Sequence, residues 1–316
     1  MVQKNDRLVT VFGGGGFVGR YLAQALFAGG VRVRIAQRDP RRAVFLKPLA
    51  GLGQVQFAAA DVTDRAQVER AIQGSDAVVN LVGILKGNFD AVHRQGAANV
   101  AEAAAAAGAK SVVHVSAIGA DPESDSRYGR SKGEGEQAVR AAFPSATIVR
   151  PSIAFGMEDN FVNRFATMSR RLPFVPVIRG KWRLQPVHVA DLGRAIALAT
   201  LDPRTHGGKI YELGGPQVLT MRELNAWICQ RTGRGSKLVV DIPDPIARIM
   251  ARVGGWLPAA PITWDQWLML QKGNVVSEGA GGFEAFGIRP APLAAVAEGW
   301  LTAYRRSGRF AAKSPY

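Results

Sequence analysis

The chain has one cysteine, Cys229, among 316 residues. No internal disulfide can form, which suits a reducing compartment. Its neighbours Trp227 and Ile228 mark Cys229 as core filler, not a reactive thiol. Histidine is nearly as scarce: four residues, scattered, with no metal-ligand spacing, so no metal is expected. No uncharged apolar run reaches the roughly 18 residues that spanning a bilayer requires, so no membrane span is expected. The polar stretch Met1 to Arg7 leads directly into an apolar run, with no signal or transit peptide before it. A cytoplasmic location follows as the expectation. Acidic residues are also few, 25 against 40 lysines and arginines, for a formal charge of +15. That excess favours anionic partners. Cations are densest at Arg164, Arg170, Arg171, Arg179, Lys181 and Arg183. No nucleic-acid motif accompanies them, and no nucleic-acid role is expected.

What is present is a regular alternation. Apolar runs occur at Leu8–Phe12, Val31–Ile35, Val55–Ala58, Ala77–Leu81, Val112–Val115 and Thr147–Val149. Amphipathic or alanine-rich stretches separate them, among them Phe17–Ala28, Ala66–Ile72 and Ala91–Ala107. This is the pattern of βαβ units, a doubly wound parallel sheet (Rossmann type) of six strands over residues 1–150. Residues 151–316 read as a smaller, irregular α/β lobe, interleaved with the first domain and ending in a helical cap. Its helices are expected at Phe161–Arg171, Val189–Thr200 and Met221–Arg231, with a short strand at Lys209–Leu213. Near the end, Trp256, Trp264 and Trp267 stand among apolar residues broken by Gly254, Gly255, Pro258 and Pro261. They suit a buried cap or an amphipathic surface.

The first strand runs into Gly13, Gly14, Gly15, Gly16, Phe17, Val18 and Gly19. Strand, glycine loop and helix in that order form a pyrophosphate cradle, since backbone N–H groups meet the anion at a helix N-terminus. Gly19 lets the helix pack closely on the sheet. After the second strand come Gln37 and Arg38 where an NAD site usually carries an acid for the ribose 2′-hydroxyl. Arginine suits a 2′-phosphate. Asp39 precedes Pro40 and reads as a helix cap. The preferred cofactor is therefore NADP(H), with NAD(H) as the alternative.

Tyr128 and Lys132 are four residues apart, on one face of a helix. A lysine cation there favours the phenolate, and its ammonium can bond the nicotinamide ribose. Ser116 follows the fifth strand at the carboxyl edge, where it can orient a substrate oxygen. Ser116, Tyr128 and Lys132 form the candidate catalytic set.

With these residues in place, the chain resembles the extended and atypical short-chain dehydrogenase/reductases. The resemblance rests on Gly13-x-x-Gly16-x-x-Gly19, Asp61-Val62, Asn80-Leu81-Val82-Gly83, Ser116 and Tyr128-x-x-x-Lys132. It implies that Asp61 and Val62 lie near the adenine and Asn80 to Gly83 along the cofactor. It also implies that the segment of Pro151 and Ile153 borders the nicotinamide. A narrower resemblance, to the nucleotide-binding accessory subunit of respiratory complex I, is carried by His114 to Asp121, Tyr128 to Glu136, Arg150 to Gly156 and Pro186 to Asp191. It spans Val9 to about Tyr211 and fades beyond. It implies a dinucleotide held for structure or sensing, a respiratory complex or membrane surface as partner, and a peripheral place on the cytoplasmic face of the inner membrane. Lacking a mitochondrial leader, the chain reads as a bacterial relative. The other reading is an active NADP-dependent oxidoreductase, epimerase or isomerase, on a hydrophobic, quinone-like or nucleotide-sugar substrate.

Overall fold

A computed structural model describes residues 5–254, 262–306 and 308. The six apolar runs become β1 (Asn5–Phe12), β2 (Val31–Gln37), β3 (Val55–Ala59), β4 (Ala77–Asn80), β5 (Ser111–Val115) and β6 (Thr147–Pro151). Residues on both faces, such as Val9, Val33, Ile35, Val78, Val79 and Val113, are wholly buried. Such strands need helices on each side. Those helices are α1 (Phe17–Ala28), α2 (Arg65–Ile72), α3 (Gly96–Ala106) and α4 (Arg127–Ala142). A six-residue π-helical turn, Asp90–Gln95, leads into α3. Between β2 and β3 the chain forms only a 3₁₀ segment, Pro40–Leu49, with Pro48 inside it. Proline removes a helix donor and clashes with the preceding turn. Asp39 caps this segment, accepting the Arg41 N–H at 3.2 Å, as expected.

Among the described residues seven further helices follow: α5 (Val162–Arg171), α6 (Val189–Leu201), α7 (Pro203–His206), α8 (Met221–Arg231), α9 (Asp244–Gly254), α10 (Trp264–Met269) and α11 (Leu293–Leu301). The chain divides into two units. The first comprises the described residues up to Pro151, then Val189–Leu213 and Val276–Arg289. Its sheet has seven parallel strands, not six, because Ile210–Leu213 pairs with β6 at the edge. The order is Ile210–Leu213, β6, β5, β4, β1, β2, β3. The strand expected in the smaller lobe therefore completes the sheet. Helix α6, expected in that lobe too, also belongs to this unit. It seats Gly193 against the α1 backbone, where a Cβ would lie 2.8 Å from the Tyr21 carbonyl carbon. Strand order reverses between β1 and β4, the position where doubly wound sheets take their ligands at the carboxyl ends.

An ion triad ties the sheet edge to α4. Arg150 bonds Glu136 at 2.7 Å and Glu212 at 3.5 Å, and both carboxylates are buried. Glu212 Oε2 also accepts the Ser277 N–H at 2.8 Å.

The second unit holds α5, α8, α9, α10 and α11 with three two-stranded pairs. Phe155, Val162, Leu184, Leu224, Ile228 and Leu301 form its main core. A Thr220–Glu223 capping box starts α8. Cys229 is buried with Val175 and Val177. Trp267 is buried against Ala247, Ala251 and Ile262, while Trp264 is partly exposed. The three tryptophans thus do not form one surface among the described residues; Trp256, Gly255, Pro258 and Pro261 lie outside them. Among the described residues, no helix is long and apolar enough to cross a membrane.

Candidate functional site

The glycine loop stands at the carboxyl end of β1. Gly13 has φ +76°, a conformation that side-chain-bearing residues rarely adopt. Its N–H bonds the Ala36 carbonyl at 2.9 Å, tying the loop to β2. A Cβ on Gly19 would collide with the Gly14 carbonyl, so α1 leaves the loop in direct backbone contact. Gly15 donates its N–H to Gln37 Oε1 at 3.0 Å. Gly16 is the N-cap of α1; no side chain caps it and no acid sits in the first turn. An uncapped helix start of this kind suits an anion through its dipole and N–H groups. Phe17 and Val18 are half-buried just behind it.

At the end of β2, Gln37 bridges Gly15 and the Asp39 carbonyl, the latter at 2.6 Å. Arg38 is exposed. The Asp39 carboxylate is engaged by Arg41. Asp61 turns inward on its own loop, accepting the Thr63 N–H at 3.0 Å and hydroxyl at 2.8 Å. The Val62 side chain belongs to the core beside Gly96. Asn80 is buried; it accepts the Val82 N–H at 3.0 Å and faces His114 Nδ1 at 3.3 Å. It thereby shapes the Leu81–Gly83 loop, whose Leu81–Val82 peptide flanks Gly13. Pro151 ends β6, its carbonyl accepting the Ile118 N–H at 3.1 Å. Ile153 falls in the second unit, its N–H bonded to Asn274 Oδ1 at 2.9 Å.

Ser116 begins where β5 ends, its N–H bonded to Val149 at 2.7 Å. Its hydroxyl is buried and has no hydrogen-bond partner among the described residues. Tyr128 and Lys132 sit one turn apart on α4. Lys132 is buried, and its ammonium donates to the Val115 carbonyl at 2.8 Å, next to Ser116. Burial lowers Lys132 to about 8 against the opposing pull of Glu136. Lys132 thus lies beside Ser116 at the carboxyl end of β5, and Tyr128 precedes it by one turn on α4. Glycine makes the approach possible: a Cβ on Gly133 would strike the Asp121–Pro122 backbone, and one on Gly135 the His93 carbonyl.

His93 belongs to this cluster and was not singled out from the sequence. It is buried in the π-helical turn, stacked on Phe89 (5.5 Å) and edge-on to Tyr128 (5.5 Å). Its Nδ1 pairs with the Ser131 hydroxyl at 2.8 Å, and Nε2 accepts the Ile84 N–H at 2.9 Å. The signal available was periodicity, since His93 shares the buried face of Gly96, Ala97 and Val100. No cluster of His, Cys, Asp or Glu suited to a metal occurs among the described residues.

A cradle that side chains would fill, an uncapped helix start and an orphaned buried hydroxyl all fit a dinucleotide. Comparison with known proteins agrees. The NAD dependent epimerase/dehydratase family matches residues 9–214. The NADH dehydrogenase (ubiquinone) 1 alpha subcomplex subunit 9 of Arabidopsis thaliana mitochondria is 35% identical over 320 residues, covering 95% of this chain and 79% of that protein. The mitochondrial NADH-ubiquinone oxidoreductase 40 kDa subunit of Neurospora crassa is 31% identical over 309 residues, covering 95% and 80%. Similarity therefore continues well past Tyr211, where the motifs alone fade. A solved triphenylmethane reductase from Citrobacter sp. shares the fold, with TM-score 0.72, 20% identity and coverage of 90% and 96%. The site accordingly has the make-up of a nicotinamide dinucleotide site. The chain belongs to the NAD dependent epimerase/dehydratase family, and within it groups with these NADH dehydrogenase subunits.

Proposed function

We propose that this chain binds NADP(H) and acts as a nucleotide-binding accessory subunit of an NADH:quinone oxidoreductase, with the dinucleotide held for structure or redox sensing. The observation that carries this reading is the reach of the likeness: the NADH dehydrogenase subunits match 95% of the chain, second unit included. The glycine loop and α1 start hold the pyrophosphate, and Leu81 to Gly83 flank it. Arg38 meets the 2′-phosphate, because the nearby Asp39 carboxylate is taken by Arg41. The chain then sits peripherally on the cytoplasmic face of the membrane through the complex.

The unpartnered Ser116 hydroxyl favours a second reading, an NADP-dependent oxidoreductase. Bound NADPH supplies a hydride. Ser116 orients a substrate oxygen, Tyr128 exchanges a proton at its phenol oxygen, and Lys132 holds positive charge beneath the pair. Gentle purification of the chain from its own membranes, with mass spectrometry of copurifying subunits and released nucleotide, separates the readings. NADPH together with respiratory subunits is the expected result. A chain that purifies alone and oxidises NADPH with an added carbonyl substrate overturns the accessory role.

A further inference from the structure

Helix α9 turns one narrow face inward, Ala247 and Ala251, against Trp267 and Ile262. The opposite side is apolar as well. Ile246, Ile249 and Val253 are 52%, 63% and 54% exposed, and half-buried Met250 continues their row. At 3.6 residues per turn these four lie within an arc of about 100°. Arg248 and Arg252 occupy the adjoining flank, with the Arg252 guanidinium 4.9 Å over Trp264. An ordinary surface helix puts charge where this one puts isoleucine.

The surroundings are cationic. At the start of α9 a cavity of about 520 Å³ is lined by Arg179, Lys181, Arg183 and Asp244. The local acids are spent: Asp244 pairs with Arg179 at 3.2 Å, and Asp241 pairs with Arg222. Among the described residues Arg248, Lys181 and Arg183 have no ion pair. The whole chain carries +15. At 11 residues α9 spans roughly 16 Å, about half a bilayer's hydrocarbon core.

We propose that α9 is a membrane-surface anchor, lying in the plane of an anionic phospholipid bilayer. Ile246, Ile249 and Val253 enter the acyl boundary while Arg248 and the neighbouring cations meet lipid phosphates. The occupant is lipid because an apolar row beside unpaired arginines matches the headgroup boundary, apolar below and anionic above. Trp267 is not part of this anchor, since it faces the core. This surface acts whether or not the chain binds a dinucleotide.

The test is flotation of the purified full chain with vesicles of phosphatidylcholine, alone or containing phosphatidylglycerol. The chain should float with the anionic vesicles and much less with the neutral ones. Ile246→Asp with Ile249→Asp should lower the bound fraction at least about tenfold. Arg248→Glu should lower it roughly fivefold and weaken its salt dependence. Circular dichroism and NADPH titration should be unchanged in both variants, so a failed dinucleotide reading would show separately. Equal flotation of the isoleucine variant and the parent overturns the anchor, as does no flotation with anionic vesicles. A parent dimer that the isoleucine variant makes monomeric assigns the face to a second copy and overturns it too.

Discussion

His93 Nδ1 lies 2.8 Å from the Ser131 hydroxyl, and that hydroxyl donates to the Tyr128 carbonyl at 2.9 Å. The Ser131 proton is thus committed, so its oxygen accepts from His93 Nδ1–H. Nε2 is already the acceptor for Ile84. The imidazole is held neutral in one tautomer, with no place for a second proton. Burial, helped by the Lys132 charge, lowers His93 to about 4. Between pH 6.5 and 4 the unfolded chain therefore binds more protons, and stability falls as pH falls through that window. His93→Gln should remove up to about 3 kcal/mol of that pH dependence. Urea melts at stepped pH give the slope; one unchanged by the substitution refutes the assignment.

Two glycines in one loop should behave differently. A Cβ on Gly16 meets only the Gly13 carbonyl, at 3.1 Å, and otherwise open space. Gly16→Val should keep the fold and weaken dinucleotide binding by at least about tenfold, because the side chain fills the phosphate's place. A Cβ on Gly19 runs into backbone, so Gly19→Val should cost about 3 kcal/mol or more. Circular dichroism beside NADPH fluorescence reads both. Full binding by Gly16→Val would remove the loop as the phosphate site.

Arg38 sets the cofactor preference. NADPH should bind several-fold more tightly than NADH, and Arg38→Asp should reverse the order by roughly tenfold or more. Parallel titrations decide this, and equal affinities in the unaltered chain exclude the 2′-phosphate contact.

Lys132 titrates near 8. If its cation serves the ribose, NADPH affinity should fall as pH rises through that value, and Lys132→Met should give a weaker, flat profile. Tyr128→Phe should leave affinity within about twofold while lowering any turnover about a hundredfold. A pH-independent affinity in the unaltered chain would detach Lys132 from the cofactor.

Arg150 stands between two buried carboxylates, Glu136 and Glu212. Arg150→Met leaves both unpaired and should cost about 3–5 kcal/mol in urea unfolding. Adding Glu136→Gln and Glu212→Gln should recover much of that loss. A single variant as stable as the parent would show that the triad contributes nothing net.

The glycine loop, α1 and the first six strands were readable because each is a local pattern: a short apolar run, a turn residue, then a 3.6-residue period. Helices α1 and α8 fall where periodicity puts them. The π-helical turn before α3 was not readable, since Ala91–Ala107 has helical periodicity throughout. His93 was not readable as a site residue because its place on that apolar face marks only burial, not a partner for Tyr128 and Ser131.

By itself the sequence determined the βαβ order, the phosphate loop and the Tyr128–Lys132 spacing, because contacts within a few residues decide those. Only tertiary structure decided which strand closes the sheet edge, since Ile210–Leu213 pairs with β6 across some sixty residues. Only it turned Trp267 inward and Ile249 outward on neighbouring helices, because apolar character says that a side chain can be buried and only packing says which one is. It alone brought Lys132 under the end of β5, through glycines whose missing side chains let α4 and the π-helical turn meet.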